Sequence, residues 1–315
     1  MTIDVNGKPE IKSLLAKSYD LFERGDFAEA QSVLDKAHGL DFEDPEVRAA
    51  LKACGYWTSR AKRLDELAGE GAKGDFLRRQ WRNFTEGFSA QLGHPFHEGR
   101  ERLKAWAFGR AIACYDRLAG EDRDPEVLLQ RGRCLKSLGR YSEAIETLEE
   151  AIRGTGPGNA GLLAELADAY ALIGETKAAK VLFREALFQD PRKVSLDDLE
   201  SPVFRRLIER LAVEKGYAGD ALAEWLPVYG VLWGVLDVTR ELKPVEYGKL
   251  KQSIYALKSE IADGDDGSGL KPRLINRYFW LIDHYQNANE DRRTVEEALM
   301  NIKLLSPSVY RAYTE

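Results

Sequence analysis

The residues of this 315-residue chain whose types could do chemistry are four histidines, three cysteines and a few charged loops. His94 and His97 straddle Pro95, which keeps them off one helical face at metal-binding spacing, and His38 and His284 stand far away. Cys54, Cys114 and Cys134 are too few and too far apart for a disulfide framework; an odd count reads as small apolar residues in a reducing compartment. GEGAKGD (Gly69 to Asp75) has the glycines and lysine of a phosphate loop but lacks the G-K-[ST] ending and a preceding strand. Asp263, Asp265 and Asp266 hint at calcium, yet the twelfth place of such a loop is Leu274 rather than glutamate. RRQWR (Arg78 to Arg82) mixes basic and aromatic residues, and on a helix it reads as a solvated basic face with Trp81 buried. With no nucleophile elbow and no paired catalytic carboxylates, the expectation is a protein that is not an enzyme and needs no cofactor and no metal.

The elements that must carry these residues read as helices. A formal net charge of −6, from 46 basic and 52 acidic residues spread evenly, gives no footprint for nucleic acid and no polybasic membrane anchor. The longest apolar run, Trp225 to Leu236, falls short of the roughly 20 residues a membrane-spanning helix needs. It is expected to be a buried helix broken near Pro227 and Gly230. The opening MTIDVNGKPEIKS has no basic segment followed by an apolar core, so the expected location is cytoplasmic.

Internal repetition decides the architecture. The 34-residue stretch from Pro125, PEVLLQRGRCLKSLGRYSEAIETLEEAIRGTGPG, aligns with the one from Ala160, AGLLAELADAYALIGETKAAKVLFREALFQDPRK. Gly139 maps onto Gly174, Ala144 onto Ala179, Leu148 onto Phe183 and Ala151 onto Ala186, each 35 residues on. In the second stretch Leu163, Leu166, Ala167 and Tyr170 form one apolar stripe, Gly174 ends the helix, and Ala179, Leu182, Phe183 and Ala186 repeat the spacing. The alanines let two helix axes approach closely. A third unit, residues 11–44, places Leu14, Gly25, Phe27, Ala30, Leu34 and Ala37 in the same register. A degenerate unit at about 92–124 keeps Phe108, Ala111, Ile112 and Tyr115, but Trp106 holds the place of the turn glycine, so its first helix or turn must be remodelled.

These residues resemble the tetratricopeptide repeat, with clear units at 11–44, 125–158 and 160–193. The unit from Ala160 carries Leu163, Leu166, Ala167, Tyr170, Ala179, Phe183, Ala186 and Pro191 of the family pattern, while the one from Pro125 departs at Arg131 and Gly156. The resemblance implies an all-α fold: a right-handed superhelical solenoid of antiparallel helix pairs over residues 1–193, then a helical C-terminal extension over 194–315, continuous with it. In that extension Phe204, Leu207, Ile208 and Leu211, then Tyr247, Leu250, Ile254 and Leu257, form helical stripes, and DGDDGSG is a loop. Leu274, Tyr278, Leu281 and Tyr285 mark one helix, with Val295, Ala298, Leu299 and Ile302 on its partner.

What the resemblance implies about function is binding of a protein or peptide on the concave face. By the family register that face is lined by Tyr19 and Phe22, by Leu129, Arg133 and Lys136, and by Asp168. Arg133 and Lys136, one turn apart, are expected to hold a carboxylate or acidic peptide. As exposed charges they are expected to contribute little to folding. Leu15, Tyr19, Leu129 and Arg133 stand where chaperone-tail binders of the family carry lysine and asparagine, so that specificity does not carry over. The leading reading is a scaffold or adaptor. The alternatives are an obligate subunit of a larger assembly or homo-oligomer, and an auxiliary factor of an export or transport system.

Overall fold

The computed structural model describes residues 7–88, 96–118, 124–156, 158–239, 241–263, 269–289 and 291–315. His94, Asp265, Asp266 and most of the loop at 263–269 lie outside them. Every regular element among the described residues is helical. In chain order they are α1 (Gly7–Arg24), α2 (Phe27–Leu40), α3 (Pro45–Glu66), α4 (Glu70–Asn83), α5 (His97–Leu118), α6 (Pro125–Ser137), α7 (Tyr141–Thr155) and α8 (Ala160–Leu172). Then come α9 (Thr176–Gln189), α10 (Pro202–Lys215), α11 (Gly219–Leu232), α12 (Pro244–Ala262), α13 (Leu270–Asn287), α14 (Arg292–Leu305) and α15 (Pro307–Thr314). The chain divides into two compact units, Met1–Thr147 and Leu148–Glu315, a boundary that falls inside α7.

Local chemistry explains the ends of these helices. Pro45 and Pro125 open α3 and α6, and the preceding Asp44 and Asp124 accept the freed N–H groups of Glu46 and Glu126 at 2.9 Å. At the turns of the three clear repeats, Gly25, Gly139 and Gly174 take φ of +83°, +74° and +88°. Each turn closes with the same pair of bonds, for example Glu175 N–H to Tyr170 O at 2.9 Å and Gly174 N–H to Ala171 O at 3.2 Å. Only glycine takes that left-handed backbone without a steric penalty.

In the first unit α5 is the common spine. Leu103 and Ala107 pack into one core with α1, α2 and α3, while Phe108, Ala111, Ile112 and Tyr115 pack into another with Phe76, Leu77, Cys134 and Leu135. The degenerate repeat is remodelled here as its missing glycine requires. α5 runs through Trp106 with no turn, and its antiparallel partner is the upstream helix α4. The Gly-rich stretch at 69–75 is therefore mostly the first turns of α4. Gly74 has a packing reason, because a methyl there would overlap the Tyr115 ring, whose hydroxyl donates to Asp75 at 2.7 Å. Glu70, at the head of α4, is gripped by Arg117 of α5 at 2.7 Å and by Lys73 at 3.3 Å.

In the second unit the α8/α9 pair packs on α10, with the Phe183 and Phe204 rings stacked 3.9 Å apart. Helix α11 is not broken at Pro227. Leu226, Pro227, Val228 and Gly230 are buried, and that packing outweighs the one helical bond proline cannot make. The helix runs on to Leu232, and Gly234 just beyond it takes a left-handed φ of +66°. Helix α13 is largely buried, with Leu274, Ile275, Tyr278, Phe279, Trp280 and Ile282 all packed in one core with residues of α11, α12, α14 and α15. Two of its charged residues are anchored: Arg273 bonds the buried Glu224 at 2.8 Å, which Arg192 also bonds at 2.6 Å, and Asp283 pairs with Arg184. Burial pushes the Asp283 carboxyl up, against the pull of Arg184. The last helix, α15, has no counterpart in the sequence reading.

Candidate protein-interaction site

All six residues expected on an open concave face are buried, none being more than 8% exposed. Their side chains are covered by the rest of the chain and not open to solvent. The covering groups are identifiable at both ends. Tyr19 and Phe22 on α1 are roofed by Phe96 and the start of α5. Phe96 stands edge-on to both rings at 6.0 and 6.5 Å, and Gly99 has no side chain because the Tyr19 and Phe96 rings fill its space. The Tyr19 hydroxyl donates to Glu46 at 2.8 Å, and burial, reinforced by that bond, moves its pKa far up.

Asp168 on α8 is covered by the chain itself. Its carboxylate accepts the backbone N–H groups of Glu200 and Ser201 at 2.7 and 2.9 Å, the end of a strap that follows α9. Val194 and Leu199 of the strap are buried in the same core as Ala160, Leu163, Ala164 and Ala167. Leu129 is likewise buried, Arg133 lies at 8% exposure beside Gln130, and Lys136 is fully buried. Reversing Arg133 and Lys136 to glutamate would therefore place two carboxylates in the interior and unfold rather than merely weaken binding.

The open concavity lies elsewhere in the first unit, where the C-terminal ends of α1 and α3 meet the middle of α5. It is a cleft of about 470 Å³ lined by Glu23, Arg24 and Gly25, by Ala61, Leu64 and Asp65, and by Ala105, Trp106, Gly109, Arg110 and Ala113. Ala105, Gly109 and Ala113 recur every four residues and give α5 a floor on which another backbone can come close. Nothing stands within 4 Å of where a side chain on Gly109 would begin. Trp106 forms the deep wall, its indole set edge-on against Phe27 at 4.8 Å and Trp57 at 5.5 Å. The rim is charged and exposed: Arg24, Asp65 and Arg110 reach solvent, and Glu23 is held by Arg102. None of these lining residues was singled out as a binding position in the sequence, although the Ala-Gly-Ala spacing on α5 was there to be read.

Among the described residues no three His, Cys, Asp or Glu side chains group so as to hold a metal ion. The three cysteines are buried and form no disulfide, and no described helix is long and apolar enough to cross a membrane.

The helix pairs, their glycine turns and their alanine contacts are accompanied by two matches to family models, both described as tetratricopeptide repeat, at residues 97–160 and 139–196. The chain contains tetratricopeptide repeats. The first match begins on α5, so the remodelled helix belongs to the tetratricopeptide array even though it lacks the turn glycine. The second ends at Leu196, inside the strap that covers α8. No curated protein matches the chain. Tetratricopeptide repeats generally mediate protein–protein interaction and are typically non-enzymatic.

Proposed function

We propose that this tetratricopeptide-repeat protein is a non-catalytic scaffold or adaptor that takes a segment of a partner protein in the α1–α3–α5 cleft. The observation that carries this reading is the combination of about 470 Å³ of open space with a small-residue floor beside a half-buried tryptophan. That volume lies within the range of roughly 300–1,000 Å³ of working binding pockets. Small residues admit a partner backbone, the indole supplies a flat apolar wall, and charges of both signs at the rim set orientation.

A photo-reactive residue at position 109 tests the reading, since a side chain there enters open space without disturbing the fold. Cross-linking should capture a defined partner segment. Gly109→Trp should then abolish binding of that segment while the melting temperature stays the same. A partner bound equally well by Gly109→Trp would remove the cleft from consideration.

The second reading, a subunit of a larger assembly or homo-oligomer, draws support from exposed apolar side chains in the C-terminal unit. Val245 and Tyr255 on α12 are 70% and 78% exposed, and Met300 and Leu304 on α14 are 53% and 79% exposed. Light scattering at increasing concentration, with Tyr255→Ser and Leu304→Ser beside the wild type, separates it from the first: a mass that stays monomeric throughout excludes the homo-oligomer.

A further inference from the structure

Outside the repeats and the cleft, α10 and α11 carry a surface the functional reading does not use. Tyr217, Trp225, Tyr229 and Trp233 form a continuous row of half-buried rings. Tyr217 and Trp225 are parallel at 5.4 Å, Trp225 and Tyr229 lie 5.9 Å apart, and Tyr229 and Trp233 lie 5.1 Å apart. The last three recur every fourth residue along α11 and its C-terminal cap, so they form one ridge. Neighbouring rings and two cations fix the row: the Arg210 guanidinium sits 4.1 Å over Trp233 and the Lys215 ammonium 5.2 Å from Tyr229. Rings held this way meet a ligand with little further loss of side-chain freedom.

The polar edges of the row are donors. Among the described residues, neither the Trp225 nor the Trp233 indole N–H has a hydrogen-bond acceptor, and both side chains reach solvent. Eight residues of helix separate them by about 12 Å. A polyproline II strand advances about 3.1 Å per residue, so two of its carbonyls four residues apart are also about 12 Å apart, and none of them is used internally. Arg210 is paired with Glu214 at 2.8 Å, and both cations beside the row lie against ring faces. An uncharged ligand with flat apolar rings and free carbonyls is complementary to such a row.

We propose that the Tyr217–Trp225–Tyr229–Trp233 row is a docking surface for a proline-rich segment of a partner protein in the polyproline II conformation. The site is independent of the cleft in the first unit, so either stands without the other. The test uses the full-length chain labelled with 15N at its six tryptophan indoles, titrated with blocked decaproline, a twelve-residue oligothymidine and an acidic peptide of equal length. The Trp225 and Trp233 indole signals should move with decaproline and with neither anionic probe. Replacing Trp225 and Trp233 by Phe keeps the rings and removes the two donors, and should weaken decaproline at least about tenfold with the circular dichroism unchanged. The single Trp225→Phe change serves if the double variant does not fold. Immobile Trp225 and Trp233 signals, movement only with oligothymidine or the acidic peptide, or undiminished affinity in the folded Phe variant would each overturn the proposal.

Discussion

Two turns in this molecule have nearly the same backbone and different surroundings. Gly174 closes the α8/α9 pair at φ +88°, and a side chain there would meet only solvent. Gly25 closes the α1/α2 pair at φ +83°, but its Cβ position is filled by the Trp106 indole. Trp106 is the residue that replaces the turn glycine in the degenerate repeat. Where that glycine is absent the helix runs on, and the indole that took its place packs against the glycine turn of another repeat. The difference teaches that a lost turn need not leave a gap. The remodelled helix takes an upstream partner, α4, and side-chain staples hold the two together where a short covalent turn would have done so. Glu70 on Arg117 and Tyr115 on Asp75 are those staples, and the α8/α9 pair needs no equivalent at its turn.

Removing Trp106 should break the comparison hardest. Trp106→Ala deletes a ring packed on Phe27 and Trp57 and should cost about 3 kcal/mol in chemical denaturation, since large-to-small core changes of aromatic residues run at about 3–5 and this one is partly solvated. The two glycines should then separate. Gly25→Ala combines backbone strain with a clash and should cost about 2–3 kcal/mol, whereas Gly174→Ala should cost only about 1–2. Equal losses for the two would mean that Trp106 does not seat on Gly25 in solution.

The alanine contacts test what the degenerate unit kept. Ala111 and Ala179 occupy the same register and are both buried, at 0% and 1% exposure. Replacing either by Leu should overpack its helix pair by about 1–3 kcal/mol, read as a lowered melting temperature. A loss confined to Ala179→Leu would show that α5 does not share the repeat's packing.

The smallest effect concerns the Glu70 staple. Hydrogen bonding from Arg117, then from Cys114 and Lys73, lowers its pKa from 4.5 to about 2. A carboxylate depressed in the folded state contributes stability above its unfolded value and loses it as the pH falls toward the folded one. Glu70→Gln should therefore lower the melting temperature slightly at pH 7, and the gap from wild type should close between about pH 4.5 and pH 2. A gap independent of pH would remove the charge from the account.

The periodic features were legible in the chain, because their causes are local. The i, i+3, i+4 stripe of Leu163, Leu166, Ala167 and Tyr170 needs only helical geometry to be read as a buried face. Gly25, Gly139 and Gly174 announce left-handed turns because no other residue takes that backbone as readily, and Trp106 announced a remodelled unit because it cannot. Ala144, Ala151, Ala179 and Ala186 are buried as expected, since close helix contacts admit little else.

Exposure was not legible, since it depends on what the rest of the chain lays over a helix. Tyr19 and Lys136 sit at inward register positions, and nothing in their own helices reveals that they are covered. Asp168 is polar and reads as a groove residue, but its partners are backbone N–H groups more than thirty positions later, supplied by a strap with no periodic signal. The largely buried α13 is the same case, its Asp283 and Arg273 paired with Arg184 and Glu224 from distant elements. Sequence alone determined the helices, their turns and their close contacts, through backbone geometry and spacing. Tertiary structure alone decided which faces meet water, because burial is a property of contacts between segments remote in the chain.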